Sequence, residues 1–394
     1  MTGQPVRTGL DHLLAGRVDL LRGRRIALLC HPASVDGALA HAVDRIAACG
    51  EGRLACLMGP EHGIAGEAQD MIAVPGAPDP RTGLPVFSLY GAEAASLAPP
   101  AEAFQGIDLL VVDLQDIGAR YYTFAATMGY AMEAAGRAGV QVAVLDRPNP
   151  IGGAAVEGGL VQRGWESFVG AWALPVRHGL TVGEYARLLH SRFGIDCELT
   201  VVPMSGWRRG MFFEETGLPW VAPSPNMPTV DTAVVYPGAC LFEGTNLSEG
   251  RGTTRPFEWV GAPWLDPHLL AQLLAVHRLP GVAFRPTRFT PSFHKWAGQS
   301  CGGVQIHVLD RTRFRPFLTG IAVLREARRL GGDRFEWRRE AYEFVRDRLA
   351  IDLLFGTDGT RRLIEGNAPL ADIEASWLAE QESFLQERAG ILLY

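Results

Sequence analysis

The sequence predicts an α/β fold in which a mostly parallel sheet of about six strands is followed by a smaller α+β domain. Short, continuous apolar runs of the kind that form strands buried on both faces recur between residues 24 and 202. Helix-like segments lie between several of these runs, and strand, helix, strand is the order of right-handed parallel βαβ units. After Trp264 the pattern changes, and a length of 394 residues suits two domains. We therefore predict a first domain at residues 1–262 and a second at residues 263–394.

The first domain is predicted to open with an amphipathic helix at residues 8–22, because its leucines recur at helical spacing. Its predicted strands are the apolar runs 24–30, 54–58, 86–90, 107–113, 140–146 and 198–202. Its other predicted helices are an alanine-rich segment near 36–49, a small-residue segment at 124–138, and a segment at 181–194 that opens with a capping box. Four prolines between residues 219 and 229 predict a rigid, non-helical segment, and a β-like run precedes Leu241.

The second domain is predicted to contain two strands and four helices. An alternating run indicates a strand at 303–308, and a short apolar run indicates another at 282–285. Helices are predicted at 266–278, 316–330, 337–349 and 371–389.

The composition is that of a globular protein, with 47% hydrophobic and 20% charged residues. A formal net charge of −6 gives no basic surface for nucleic acid and no polybasic anchor for a membrane. The N-terminus shows no basic segment followed by an apolar core, and no run reaches the ~18 apolar residues of a spanning helix. We therefore expect a cytoplasmic protein, unless a leader has been removed. Six cysteines without C-x-x-C spacing predict buried free thiols.

One stretch, residues 241–258, combines glycines with charged, amide and hydroxyl side chains. Glycine allows backbone conformations that other residues avoid. Acceptors, donors and a fixed positive charge come from Glu243, Asn246, Glu249 and Arg251. We interpret this stretch as part of a site; the alternative is a long polar surface loop.

Polar residues also follow the predicted strands at their carboxyl ends, where open parallel sheets bind their ligands. Glu61 and His62 follow the second strand, and other polar groups follow the two strongest strands and the proline-rich segment. The candidate substrate-binding residues are His62, Asp116, Arg120, Tyr122, Asp146, Asn149, Asn226, Asn246, Arg251 and Lys295.

Several familiar chemistries lack their motifs. The sequence contains no G-x-x-x-x-G-K-S/T and no G-x-S-x-G, and residues 250–255 carry only the first two glycines of a dinucleotide fingerprint. Metal binding through His62 with Asp113 or Asp116 would lack the ligand spacing that is usual for zinc. We therefore predict no cofactor and no metal.

The remaining inventory of carboxylates, aromatic residues, amides and arginines is that of a carbohydrate site. Glycoside cleavage needs an acid, usually with a second carboxylate. Glu61 is the first candidate, because burial after a strand would raise its pKa into the useful range. Alternatively, Glu61 caps a helix or pairs with an arginine. Glu249 and Glu243 are candidates for the second carboxylate, and Asp116 is a third. Either of the first two could instead hold Arg251 in place.

Ordered motifs cover nearly the whole chain, at Pro60–Gly63, Asp113–Thr123, Leu145–Pro150, Ser224–Pro228, Tyr236–Gly238, Phe242–Asn246, Ser248–Thr253, Pro256–Glu258 and Gly261–Trp264. In this order they resemble the motifs of the exo-β-N-acetylmuramidases of the NamZ type. The resemblance implies a Rossmann-like domain with a C-terminal auxiliary domain, an active site in the cleft between them, and no cofactor. It implies release of N-acetylmuramic acid from the non-reducing end of peptidoglycan fragments, or muropeptides. It also places the catalytic glutamate of the family at Glu61.

The chain departs from the family pattern directly after its Pro-Glu-His-Gly motif. Family members usually have an aromatic and a basic residue there, where this chain has Ile64 and Ala65. One substrate contact is therefore lost or supplied from elsewhere. Many relatives also carry export signals, so a role in recycling wall fragments inside the cell, or a different amino-sugar substrate, stays open.

N-acetylmuramic acid carries a lactyl carboxylate, which a bidentate arginine recognises better than a lysine does. We expect Arg251 or Arg120 to bind it, with Lys295 as a third candidate; the alternative is an arginine that only braces an acidic neighbour. Two other functions stay open. A non-catalytic sugar-binding protein would close two domains on its ligand, and a metal-dependent amidase or deacetylase acting on wall fragments would be sensitive to chelators.

Overall fold

The computed structural model describes residues 5–394. Its larger sheet has six strands, all parallel, in the order β3-β2-β1-β4-β5-β6. These strands are β1 (Arg25–Cys30), β2 (Arg53–Gly59), β3 (Val86–Ser88), β4 (Leu109–Asp113), β5 (Gln141–Leu145) and β6 (Leu199–Val202). This strand order is that of the doubly wound dinucleotide-binding fold. The prediction of a Rossmann-like, parallel α/β sheet is confirmed.

Helices cover the faces of this sheet, and several begin or end inside their predicted bounds. They are α1 (Gly9–Gly16), α2 (Ala42–Cys49), α3 (Phe124–Arg137) and α4 (Val182–Arg192). A short 3-10 turn replaces the predicted second half of α1, and α2 begins only where the His41 side chain accepts a hydrogen bond from the Val43 amide. The capping box predicted for α4 is confirmed, with Thr181 and Glu184 bonding each other's backbone amides.

A second, antiparallel sheet has the strand order β7-β9-β8. Its strands are β7 (Trp259–Ala262), β8 (Val282–Phe289) and β9 (Cys301–Val308). The helices of this part of the chain are α5 (Val230–Ala239), α6 (Pro267–Val276), α7 (Pro316–Gly331), α8 (Ala350–Phe355), α9 (Gly359–Glu365) and α10 (Leu370–Arg388). The smaller α+β unit is therefore present. The domain boundary at residue 262 stays a prediction. Strand β7, which lies just before this boundary in the chain, pairs with β9 in the second sheet.

Two predicted elements are wrong. The β-like run before Leu241 is α5, which the side chain of Thr229 caps and which is buried on nearly all sides. A short apolar run buried all round has no periodicity that distinguishes helix from strand. The predicted helix at 337–349 is an irregular segment, in which Glu343 and Phe344 have positive φ angles of 45° and 69°. The Tyr342 and Glu343 side chains of this segment are buried, while its arginines stay near the surface.

The cysteine prediction is confirmed within the described residues. All six thiols are free, and five of them are buried, Cys49 being half-buried. No helix between residues 5 and 394 is long and apolar enough to cross a membrane.

Helices α5 and α7 cross at two glycines, Gly238 in α5 and Gly320 in α7. A Cβ atom added at Gly238 would overlap the carbonyl oxygen of Pro316, and one added at Gly320 would overlap the backbone of Gly238. The two helix backbones therefore approach as closely as glycine permits.

We expect Gly238→Ala to destabilise the protein by about 1–3 kcal/mol, since the added methyl group forces α5 and α7 apart. Urea unfolding followed by circular dichroism measures the change. Gly16→Ala is the matched control, because a Cβ atom there meets nothing within 4 Å, and its effect should stay within about 1 kcal/mol. Equal stability of the Gly238→Ala variant and the control would contradict this account of the helix crossing.

Candidate active site

An enclosed pocket lies beyond the carboxyl end of β2, where the two parts of the chain meet. Its lining residues come from both parts: Glu61, His62, Asp70, Tyr121, Tyr122, Thr123, Phe124, Val169, Ser224, Asn226, Met227, Tyr236, Glu243, Arg251, Phe257, Tyr342 and Glu343. The position fits the rule that open parallel sheets bind ligands outside the carboxyl ends of their strands.

Glu61 follows β2 and is only 6% exposed. Its Oε2 atom accepts a hydrogen bond from the Thr123 hydroxyl at 2.7 Å. Thr123 is the residue directly before α3, so the Glu61 carboxyl lies near the helix N-terminus, where the helix dipole favours a negative charge. Among residues 5–394, no arginine or lysine forms an ion pair with Glu61. The structure therefore does not contain the ion pair between Glu61 and an arginine that was considered as an alternative.

Glu343 is a second pocket carboxyl, and sequence reasoning missed it. The residue is 6% exposed, and its Oε2 accepts a hydrogen bond from the Tyr90 hydroxyl at 3.0 Å. Burial and the nearby charge of Glu61 raise the pKa of Glu343 well above its ordinary value. The sequence does not distinguish Glu343 as a site residue, because its segment is rich in charged residues, as an exposed helix would be.

Arg251 joins three carboxylates at one edge of the pocket. Its guanidinium lies 2.8 Å from Glu243, 3.2 Å from Glu249 and 3.3 Å from Asp70. Burial by itself would lower the pKa of Arg251, but the three carboxylates raise it well above its ordinary value. The Tyr342 hydroxyl also donates to Glu243 at 2.7 Å. Glu243 therefore holds Arg251 in place, which was the alternative role considered for this glutamate.

Glu249 lies behind this cluster and does not line the pocket. It is fully buried, with Lys295 at 2.9 Å and the His294 ring at 3.0 Å. Burial by itself would raise the pKa of Glu249, but Lys295, His294 and Arg251 reverse the effect and hold it well below its ordinary value. A carboxylate with these partners stabilises the 241–258 stretch and has no open path to a sugar in the pocket.

The remaining pocket candidates are His62, Tyr122 and Asn226. His62 has a positive φ of 71°, and its Nδ1 atom bonds the carbonyl oxygen of Ala68 at 2.8 Å. Tyr122 packs edge to face on Tyr236, with ring centroids 5.8 Å apart. These side chains shape the wall of the pocket.

Contacts of Gln69 and Asp70 narrow the pocket. Asn226 donates to the Gln69 side chain at 2.7 Å, and Asp70 lies 3.3 Å from Arg251. The open space is about 40 Å³, room for a few water molecules, whereas small-molecule sites measure about 300–1,000 Å³. A sugar ring therefore enters only when some of these contacts break.

Two candidates lie in a separate open groove of about 1330 Å³. Asn246 donates to the carbonyl oxygen of Arg334 and accepts from the amide of Glu336. The Lys295 ammonium donates to two carbonyl oxygens, those of Phe242 and Leu247, as well as to Glu249. Both side chains hold the 241–258 stretch from outside the pocket.

Four predicted site residues are buried away from the pocket and bind protein groups. Arg120 donates to the carbonyl oxygens of Gly159, Leu174 and Leu354, and Asp116 accepts from the amide of Gly118. Asp146 accepts from Thr181, Gly183 and Tyr394, and Asn149 donates to the carbonyl oxygen of Leu180. These partners show structural roles, so the structure does not bring Arg120, Asp116, Asp146 or Asn149 to the site.

Comparisons with known proteins agree with this architecture. Residues 26–231 match the family model for the N-terminal part of the exo-β-N-acetylmuramidase NamZ, and residues 234–394 match the model for its C-terminal part. The chain is 42% identical to the peptidoglycan β-N-acetylmuramidase NamZ of Bacillus subtilis (strain 168) over 389 residues, 99% of this chain and 91% of that protein.

Solved structures show the same fold. One crystal structure of a DUF1343 family protein from Bacteroides fragilis NCTC 9343 superposes with a TM-score of 0.89 at 34% identity, and a second with a TM-score of 0.76 at 28% identity. In both cases 99% of each chain is covered. The two family models together span nearly all of the sequence. The chain belongs to the NamZ family of exo-β-N-acetylmuramidases.

Proposed function

We propose that this protein is an exo-acting glycoside hydrolase that releases N-acetylmuramic acid from the non-reducing end of peptidoglycan fragments. The observation that carries the proposal is the enclosed pocket with two buried carboxyls, Glu61 and Glu343, neither of which has a cationic partner among residues 5–394. Glycoside cleavage uses such a pair, one carboxyl protonated and the other charged. An enclosed pocket also admits a chain end and excludes the middle of a glycan strand, which supports exo action.

The test is release of p-nitrophenol from p-nitrophenyl β-N-acetylmuraminide, with and without EDTA. We expect release that persists in EDTA. Binding of N-acetylmuramic acid without release would favour a sugar-binding protein. Release or deacetylation that stops in EDTA would favour a metal-dependent amidase or deacetylase. Among residues 5–394, no group of three or more His, Cys, Asp and Glu residues is arranged to hold a metal ion.

Arg251 is the pocket cation that we propose for the lactyl carboxylate. Of the three predicted candidates, only Arg251 lines the pocket. Its guanidinium already forms ion pairs with Asp70, Glu243 and Glu249. A substrate carboxylate therefore has to displace one of these carboxylates or share the guanidinium with them. Asp70 belongs to the loop between β2 and β3, and its contact is the longest of the three.

We expect Arg251→Lys to lower the preference for muraminide over N-acetylglucosaminide by about tenfold, because a lysine cannot hold two carboxylates with fork geometry. The ratio of kcat/KM on the two p-nitrophenyl glycosides measures the preference. Arg120→Lys is the control and should leave the ratio unchanged, since its donors bind carbonyl oxygens away from the pocket. An unchanged ratio in Arg251→Lys would rule out this assignment.

A further inference from the structure

Glu343 lines two cavities. One is the enclosed pocket, and the other is an outer groove of about 420 Å³. Ala94, Ala95, Leu97, Ala98, Tyr130, Glu166, Ser167, Phe168, Ala171, Glu343, Phe344 and Val345 line this outer groove. Glu343 is the one residue that lines both cavities among those the structure describes. A bond between a sugar in the pocket and a sugar in the groove would therefore pass this residue.

The outer groove suits an uncharged sugar. Tyr130 and Phe168 lie nearly parallel, with ring centroids 6.3 Å apart, and Phe344 adds a third aromatic ring. Such rings offer apolar faces against which a pyranose can pack. The titratable groups of the described lining are the Tyr130 hydroxyl and the carboxyls of Glu166 and Glu343, so the lining offers no cation for a carboxylate-bearing sugar.

The two pocket carboxyls have different surroundings. Glu61 lies at the N-terminus of α3, and its Oε2 atom accepts a hydrogen bond from the Thr123 hydroxyl at 2.7 Å. Glu343 faces Glu61, Asp70 and Glu243, and its hydrogen-bond donor is the Tyr90 hydroxyl. Burial and these negative neighbours favour its protonated form.

We propose that Glu343 is the general acid of the reaction, and that the outer groove holds the uncharged leaving sugar. This inference rests on the proposed function. The carboxyl proton of Glu343 moves to the glycosidic oxygen while the bond from that oxygen to the anomeric carbon breaks, and the bonding electron pair stays on the oxygen. In one route the Glu61 carboxylate takes a proton from the water that attacks the anomeric carbon; Glu343 then ends as a carboxylate and Glu61 as an acid, and exchange of one proton each with solvent restores both. In the other route the Glu61 carboxylate attacks the anomeric carbon, and water then displaces it from that carbon while giving a proton to the Glu343 carboxylate, which restores both groups.

The test compares Glu343→Gln with the wild type on two substrates that differ in how much their leaving groups need protonation. A disaccharide of N-acetylmuramic acid and N-acetylglucosamine needs a proton on its leaving oxygen, whereas p-nitrophenolate leaves without one. We expect kcat on the disaccharide to fall by about 10²–10⁴-fold and kcat on the p-nitrophenyl glycoside to fall far less. Glu340→Gln is the matched control, since Glu340 is exposed in the same segment and does not line the pocket.

The pH profile gives an independent reading. Wild-type kcat/KM on the disaccharide should fall as the pH rises through the pKa of Glu343, because the acid loses its proton, and Glu343→Gln should lack this alkaline limb. The Tyr90 hydrogen bond lowers the pKa of Glu343, so Tyr90→Phe should move the limb to higher pH without removing a carboxyl. This conservative variant tests the assignment even if Glu343→Gln does not fold.

Three results would overturn the assignment. These are an equal loss on both substrates in a Glu343→Gln variant that keeps the wild-type melting temperature, no loss on either substrate, or an alkaline limb that does not move in Tyr90→Phe. A wild-type protein that hydrolyses neither substrate would instead reject the proposed function itself, so the two failures can be told apart.

Discussion

Replacing Glu61 by glutamine is expected to lower kcat on p-nitrophenyl β-N-acetylmuraminide by about 10³-fold. The carboxylate that would attack, or activate water, is lost, while the amide keeps the size of the side chain and can still bond the Thr123 hydroxyl. The melting temperature should therefore change little. Steady-state kinetics and a thermal melt on the same preparation measure both effects.

Glu67→Gln is the control for this experiment, because Glu67 is exposed on the same loop and does not line the pocket. Its kcat should match that of the wild type. Isothermal titration with N-acetylmuramic acid should show that Glu61→Gln still binds the sugar. A Glu61→Gln variant with wild-type kcat would remove this residue from the mechanism, whatever the substrate.

Replacing Arg251 by methionine is expected to destabilise the protein by about 3–5 kcal/mol at neutral pH, since it leaves buried carboxylates without their shared cation. Asp70, Glu243 and Glu249 all contact this guanidinium, and Glu249 keeps only Lys295 and His294. Urea unfolding at a series of pH values measures the effect. Arg255→Met is the matched control, because its ion pair with Glu258 is partly exposed and should contribute no more than about 1 kcal/mol.

The deficit of Arg251→Met should shrink in acid. The folded-state pKa of Glu249 is held well below its ordinary value. Its contribution to stability is therefore present above the unfolded pKa of about 4.3 and is lost as the pH falls through the folded-state value. Protonated carboxyls no longer need the guanidinium, so the wild type loses more stability than the variant does. A deficit that stays constant down to about pH 3 would contradict the electrostatic account.

The number of strands in the larger sheet and their places along the chain could be predicted from the sequence, because each strand is a continuous apolar run bounded by polar residues. The ends of α1 and α2 could not, since caps and 3-10 turns decide them locally. The 230–239 run was misread because it is apolar on every side, and α5 forms where it can pack closely against the glycine of α7. The 337–349 segment was misread as a helix, because its backbone is irregular and no regular element corresponds to its sequence pattern.

The sequence by itself determined the Rossmann-like sheet, the family and the position of Glu61 after β2, because apolar runs and ordered motifs are local properties of the chain. Only the tertiary structure decided which polar groups meet. It buried Arg120 and Asn149 among carbonyl oxygens, and it placed Glu249 in ion pairs behind the pocket. It also brought Glu343 beside Glu61, 282 positions apart in the numbering (343 − 61). Desolvation and the charges of distant segments set the protonation of such a pair, and no local pattern records them.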